Sequence, residues 1–199
     1  SAVGPSYFKP PNTTALVDSM AGIASAAPQT PFYYYEIPSL TGLTLSSAAF
    51  LEHAAGRIPN LAGLKFSSSN LMEYQLCIAA HGGRFDIPFG FDEMLLAALA
   101  LGATSAVGST YNFAAPIYYR MIKAFTSGDF KTARPEQFRS VQLISLLASR
   151  GFMGASKATM KMLGVDVGPA RLPNTSLTAD QQNALRKDLG KLGFFDWLE

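Results

Sequence analysis

"GLKFSSSN" (63–70) sets a lysine into a stretch that otherwise reads as a buried strand, and Asn70 followed by Glu73 resembles a capping box that opens a helix. A strand running into a capped helix is one βα unit, and the rest of the chain divides on the same pattern. The runs "SAVGP" (1–5), "PFYYYE" (31–36), "AGLKF" (62–66), "FDIPF" (85–89) and "TSAVGS" (104–109) read as strands. Between them, Leu16, Val17, Met20 and Ile23 mark one helical stripe, Phe50, Leu51, Ala54 and Ala55 a second, and Gly102 sits where a helix should stop. This alternation predicts a parallel sheet with crossover helices. After residue 110 the strand signals end. Ile117, Met121, Ile122 and Phe125 predict a helix, "PEQFRSVQLISLLASR" (135–150) a second, "ASKATMKML" (155–163) a third, and Thr178 with Gln181 opens a fourth. With no internal repeat and no Pro/Gly/Ser-rich linker, residues 1–199 read as a single domain, with βα units over 1–110 and a helical part over 111–199.

Parallel sheets covered by helices are either closed barrels or doubly wound open sheets. Neither G-x-G-x-x-G nor G-x-x-x-x-G-K-[ST] follows any of these strands, which favours a barrel. In barrels the chemistry lies at the C-terminal ends of the strands.

Bulk properties narrow the function. The chain has 199 residues, 48% of them hydrophobic and 12% aromatic, enough for a sizeable core. Sixteen basic against 14 acidic residues, without a run of either sign, argue against nucleic acid as a partner and against a membrane-binding face. The single cysteine, Cys77, allows no internal disulfide and reads as a small core hydrophobe. The most apolar segment, "MLLAALALGATSAVG" (94–108), is broken by Gly102 and Thr104 before it could span a bilayer. A soluble, cytoplasmic protein is expected. The opening "SAVGPSYF" (1–8) has no initiator methionine and reads as though it starts inside a strand, so a fragment of a longer protein is expected.

The strand ends carry the candidates. An unpaired buried ammonium is costly, so Lys65 either reaches water along its stem or has a chemical task. In a largely apolar pocket a lysine amine loses its proton more readily and can attack a ketone to form a Schiff base. Such a site needs a proton relay, and a phenol on the neighbouring strand end suits it. Tyr33 and Tyr35 share one face and Tyr34 the other; nearness to the strand end favours Tyr35, against the alternative of an aromatic packing cluster. "GFDE" (90–93) reads either as a loop with Asp92 starting a helix or as a polar binding element, and Ser109 has the same ambiguity. His53 and His81 read as surface residues. No His/Cys/carboxylate cluster has metal-ligand spacing, and no metal is expected.

Taken together, "YYEIP" (34–38), "GLKFSSS" (63–69), "GFDE" (90–93) and "GSTYN" (108–112) resemble, in order, elements of the pyruvate-dependent class I aldolase family that includes dihydrodipicolinate synthase and N-acetylneuraminate lyase. The resemblance covers essentially the whole chain and implies an α/β fold, the (β/α)8 TIM barrel. It implies the Schiff-base role for Lys65 and the proton relay for Tyr35. The lyase branch is the nearer, because the synthases usually continue the tyrosine motif with an arginine and lack the "GFDE" and "GSTYN" pair. In that branch Gly90, Asp92, Glu93 and Ser109 would contact the polyhydroxylated tail of a sugar acid, with Ser67 in the place of a threonine or serine two residues after the lysine. The implied reaction is reversible cleavage of sialic acid to N-acetylmannosamine and pyruvate, without organic cofactor or metal, in a homotetramer. A related aldolase or synthase with another aldehyde partner, or a non-catalytic fragment, are the alternatives. Family members carry eight strands; this chain is expected to begin at the fourth, without the "GSTGE"-type loop that holds the substrate carboxylate. Glu36, where relatives often have asparagine or histidine, is expected to point away from the Tyr35 face.

Overall fold

Aromatic residues at every position from 32 to 35 favour a pleated, half-buried strand, and in the computed structural model, which describes residues 1–198, this segment is the central strand of a parallel sheet. It is β2 (Phe32–Glu36), flanked by β1 (Ala2–Val3) and β3 (Leu61–Phe66) in the order β1-β2-β3. The register pairs Tyr33 with Gly63, Tyr34 with Leu64, Tyr35 with Lys65 and Glu36 with Phe66. Side chains alternate across the sheet, so Phe32, Tyr34 and Glu36 are buried while Tyr33 and Tyr35 are half-buried on the other face.

The chain forms two compact units: residues 1–91 with 97–107, and residues 92–96 with the chain from 108 onward. In the first unit α1 (Thr13–Ala24) follows β1, the short α2 (Pro38–Thr41) and α3 (Ser47–Ala54) follow β2, and α4 (Leu71–Gly83) follows β3. Leu16, Val17 and Met20 of α1 are buried as their spacing predicts, but Ala24 completes the stripe and Ile23 is half exposed. The Tyr34 ring packs on Phe50 of α3 at 4.6 Å, and Phe66, Tyr74 and Phe89 form a second aromatic cluster with centroids 5.0–6.4 Å apart. Cys77 is buried in this core, and burial pushes its thiol pKa up. His53 and His81 are exposed.

Two expectations for this unit need correction. The Asn70 side chain caps α4 through the Glu73 N–H (3.1 Å), but the Glu73 carboxylate does not return to close a capping box. It accepts from Ser46 Oγ (2.7 Å) and the Ala48 N–H (3.0 Å) at the N-terminus of α3, where the exposed amides and helix dipole favour an anion. Secondly, 85–89 and 104–109 pair in parallel only as isolated bridges, Gly63 with Asp86, Phe66 with Phe89, and Phe89 with Ala106. For 85–89 against β3 the physical cause is Pro88. The Asp86 N–H reaches Ala62 O and the Gly90 N–H reaches Phe66 O, while residue 88, between them, has no N–H to give.

The second unit is helical: it holds the 3₁₀ turn at Asp92–Met94 and the first two residues of α5 (Leu95–Ala100), and it resumes with α6 (Tyr111–Thr126), α7 (Phe130–Ala148), α8 (Phe152–Met162), α9 (Ala179–Leu192) and a 3₁₀ turn at Asp196–Leu198. Among the described residues no strand follows residue 110. Ile117 and Met121 of α6 are buried, whereas Ile122 is exposed. α7 starts five residues before the expected Pro135, because Asp129 caps it by accepting the Thr132 N–H at 3.1 Å. Thr178 and Gln181 form both halves of a capping box at α9. A buried carboxylate, Glu136, receives Arg120 (3.2 Å) and Arg139 (2.6 Å), and Arg120 also donates to Trp197 O (2.7 Å), which ties the C-terminal turn to α6 and α7.

Candidate active site

Within the first unit, the parallel register places Lys65 beside Tyr35 at the C-terminal ends of β3 and β2. The Lys65 Nζ lies 4.1 Å from the centroid of the Tyr35 ring, and both side chains are half-buried. The choice between Tyr33 and Tyr35, open from periodicity, is narrowed by hydrogen bonding. The Tyr33 hydroxyl donates to Asp86 Oδ2 (2.9 Å), whose Oδ1 accepts from Ser105 Oγ (2.8 Å). Burial and the Asp86 carboxylate both raise the pKa of that phenol.

The other two candidates of this unit meet one another. Ser67 is buried, its N–H donates to both the main-chain oxygen and the Oε2 of Glu36 (3.0 Å each), and its Oγ has no hydrogen-bond partner among the described residues. Gly90 passes directly over that hydroxyl: a Cβ there would lie 2.0 Å from Ser67 Oγ, so only glycine allows the approach. Glu36 is buried on the face opposite Tyr35, as the pleat predicts. Burial is the main cause that pushes its pKa up to about 7; the Ser67 N–H opposes the shift and the Glu73 charge adds to it.

Asp92, Glu93 and Ser109 belong to the second unit. Asp92 starts the 3₁₀ turn, but its side chain does not serve as that helix's cap. It is buried and accepts the Thr110 N–H (2.9 Å) and Thr110 Oγ1 (2.5 Å) on Oδ2. Gly108 makes room for it, since a Cβ there would fall 1.4 Å from Asp92 Oδ1. Behind Thr110 stand Tyr118 and Ser140, linked by hydroxyl contacts of 2.5 and 2.8 Å. Glu93 is half-buried with its pKa raised, first by burial and then by Asp92. Ser109 is exposed, and its carbonyl accepts from Asn112 Nδ2 at 2.9 Å. Thr110, Tyr118, Ser140 and Glu36 escaped notice as partners in the sequence. The one available signal was Gly108 immediately before "ST", a glycine with no turn to explain it. Among the described residues no group of three or more His, Cys, Asp or Glu is placed to hold a metal ion.

A parallel βα sheet with its polar candidates at the C-terminal strand ends defines an α/β protein, and the known proteins it matches place it in the TIM-barrel class. The chain belongs to the dihydrodipicolinate synthetase family, whose profile matches residues 1–192. It is 38% identical to N-acetylneuraminate lyase of Rattus norvegicus over 200 residues, covering 99% of this chain and 62% of that protein. Among solved structures, N-acetylneuraminate lyase (sialic acid aldolase) from Aliivibrio salmonicida superposes with a TM-score of 0.93 at 44% identity, covering 97% of this chain and 64% of that one. The Proteus mirabilis N-acetylneuraminate lyase gives 0.93 at 40%, covering 96% and 65%. The chain thus spans less than two thirds of the length of these relatives.

Proposed function

We propose that the protein is an N-acetylneuraminate lyase, a class I aldolase that reversibly cleaves sialic acid to N-acetylmannosamine and pyruvate. The observation that carries this reading is the Lys65 amine over the Tyr35 ring at adjacent strand ends, in a chain whose similar proteins include named lyases. Lys65 Nζ attacks the C2 ketone of the open-chain sugar acid and water leaves, giving an iminium. Tyr35, left as the phenolate after giving its proton to that departing water, accepts the C4 hydroxyl proton while the C3–C4 bond breaks and its electron pair flows into the iminium, leaving an enamine and free aldehyde. The enamine takes a proton at C3, and hydrolysis releases pyruvate and the amine. Asp92, Glu93, Ser109 and Gly90 receive the hydroxylated tail, Ser67 lies beside the lysine's strand end, and no metal or organic cofactor takes part.

Under this reading residues 1–199 belong to a TIM-barrel domain of the family, acting in the cytoplasm as a homotetramer on small-molecule substrates. No helix of the described residues is long and apolar enough to cross a membrane.

The test is pyruvate with borohydride on the full-length polypeptide carrying this sequence. The expected result is a covalent adduct on the peptide "GLKFSSSN", together with sialic acid cleavage. An adduct on another lysine, or none, refutes the Schiff-base assignment. An adduct without sialic acid cleavage identifies a pyruvate-dependent aldolase with another aldehyde partner.

A further inference from the structure

Asp92 is one end of a continuous chain of four buried side chains. Thr110 and Ser140 are fully buried, and Asp92 and Tyr118 are 5% and 3% exposed. The contacts run from Asp92 Oδ2 to Thr110 Oγ1 (2.5 Å), from there to Tyr118 Oη (2.5 Å), and on to Ser140 Oγ (2.8 Å). A second bond, from the Thr110 N–H to the same Oδ2 (2.9 Å), fixes the carboxylate in two directions.

Proton counting assigns the direction of every bond. A carboxylate only accepts, so Thr110 Oγ1 spends its one proton on Asp92. Thr110 Oγ1 must then accept from Tyr118, and Tyr118, having given its proton, must accept from Ser140. The three hydroxyl dipoles therefore point the same way, each strengthening the next, and the row ends on the anion. The Tyr118 ring is itself held edge-on against Tyr111 at 4.4 Å. Burial raises the pKa of the Tyr118 phenol, which keeps it a donor at neutral pH.

We infer that Thr110, Tyr118 and Ser140 are positioning residues that aim the Asp92 carboxylate from α6 and α7 and thereby set the preference for a substrate with a hydroxyl-bearing tail. A carboxylate locked as a pure acceptor recognises hydroxyl donors and discriminates against tails that lack them, because a buried acceptor deprived of its donor is costly. An acyclic polyol is the chemical class such an acceptor suits. The tail-binding role of Asp92 rests on the lyase reading; the positioning of its carboxylate does not.

The experiment uses Thr110→Val, Thr110→Ser, Tyr118→Phe and Ser140→Ala in the full-length polypeptide. The kinetic substrates are N-acetylneuraminate and an analogue shortened by its terminal hydroxyl-bearing carbons, with pyruvate trapping on Lys65 as a control. Tyr118→Phe is expected to raise KM for the full-length sugar acid roughly 2- to 10-fold and Thr110→Val by about 10-fold or more. The shortened analogue and the trapping should be unaffected, and Thr110→Ser should restore the parent value. Equal losses on both substrates, or none on either, overturn the inference. Crystal structures of Thr110→Val and Thr110→Ser give a readout independent of substrate: the Asp92 carboxylate should leave its position in the first and keep it in the second. If it moves as expected while the parent protein fails to cleave sialic acid, the lyase reading falls and the positioning role stands. If it stays in place in Thr110→Val, the positioning role falls.

Discussion

Glu36 offers a prediction whose size follows from its surroundings. It is a carboxyl buried to 8% exposure behind the strand that carries Tyr35, and its pKa is raised from 4.5 to about 7. A raised carboxyl pKa means that the folded state holds the proton more tightly than the unfolded chain. The stability this contributes is fully present below 4.5 and is lost as pH rises through about 7. The interval between those values corresponds to about 3 kcal/mol of folding free energy. Of the groups facing Glu36, Tyr34 (raised to about 12) and Cys77 (raised by burial) stay protonated throughout, so they do not mimic the effect, while the Glu73 carboxylate enlarges it. Glu36→Gln keeps an oxygen for the Ser67 N–H and removes the ionisation. The variant should match the parent near pH 4.5 and exceed it by up to about 3 kcal/mol above pH 8, as measured by denaturant unfolding of the full-length polypeptide across that range. Parallel stability curves for parent and variant would show that Glu36 ionises in the fold without cost, and the burial argument would fail.

Two further outcomes are expected. Tyr35→Phe should lower kcat by about 100-fold or more, the usual worth of a positioned proton relay, whereas Tyr33→Phe, which unpairs only the Asp86 contact, should keep kcat within about tenfold of the parent; steady-state rates with sialic acid decide between them. Glu136→Ala leaves the partly exposed Arg120 and Arg139 without their shared carboxylate and should destabilise the protein by about 1–3 kcal/mol, read as a lowered denaturation midpoint.

The local signals were legible where one short stretch carried the whole physical cause. Short apolar and aromatic runs located β2 and β3, and the i, i+3, i+4 stripes located α1, α3 and α6, because these signals are carried by residues a few positions apart. The Thr178 and Gln181 box at α9 is likewise self-contained. The identical pattern at Asn70 and Glu73 misled, since the glutamate found a helix N-terminus 25 residues upstream that no local rule could see. Pro88 was visible in the sequence, but its effect on the ladder depended on which donor position it would occupy against β3.

The parallel βα order, the family, and Lys65 with Tyr35 as the pair to inspect were legible from the sequence alone, because apolar runs, strand-end position and motif order are properties of the chain. Tertiary structure decided which polar groups are spoken for. Tyr33 is tied to Asp86, Glu36 is shut in behind the sheet with a raised pKa, and Asp92 is bound by a row of hydroxyls ending at Ser140, 48 positions further along the chain. A hydroxyl or carboxyl carries no local mark of its partner. Its chemistry is set by which donors and acceptors the fold brings within about 3 Å and by how much water it removes.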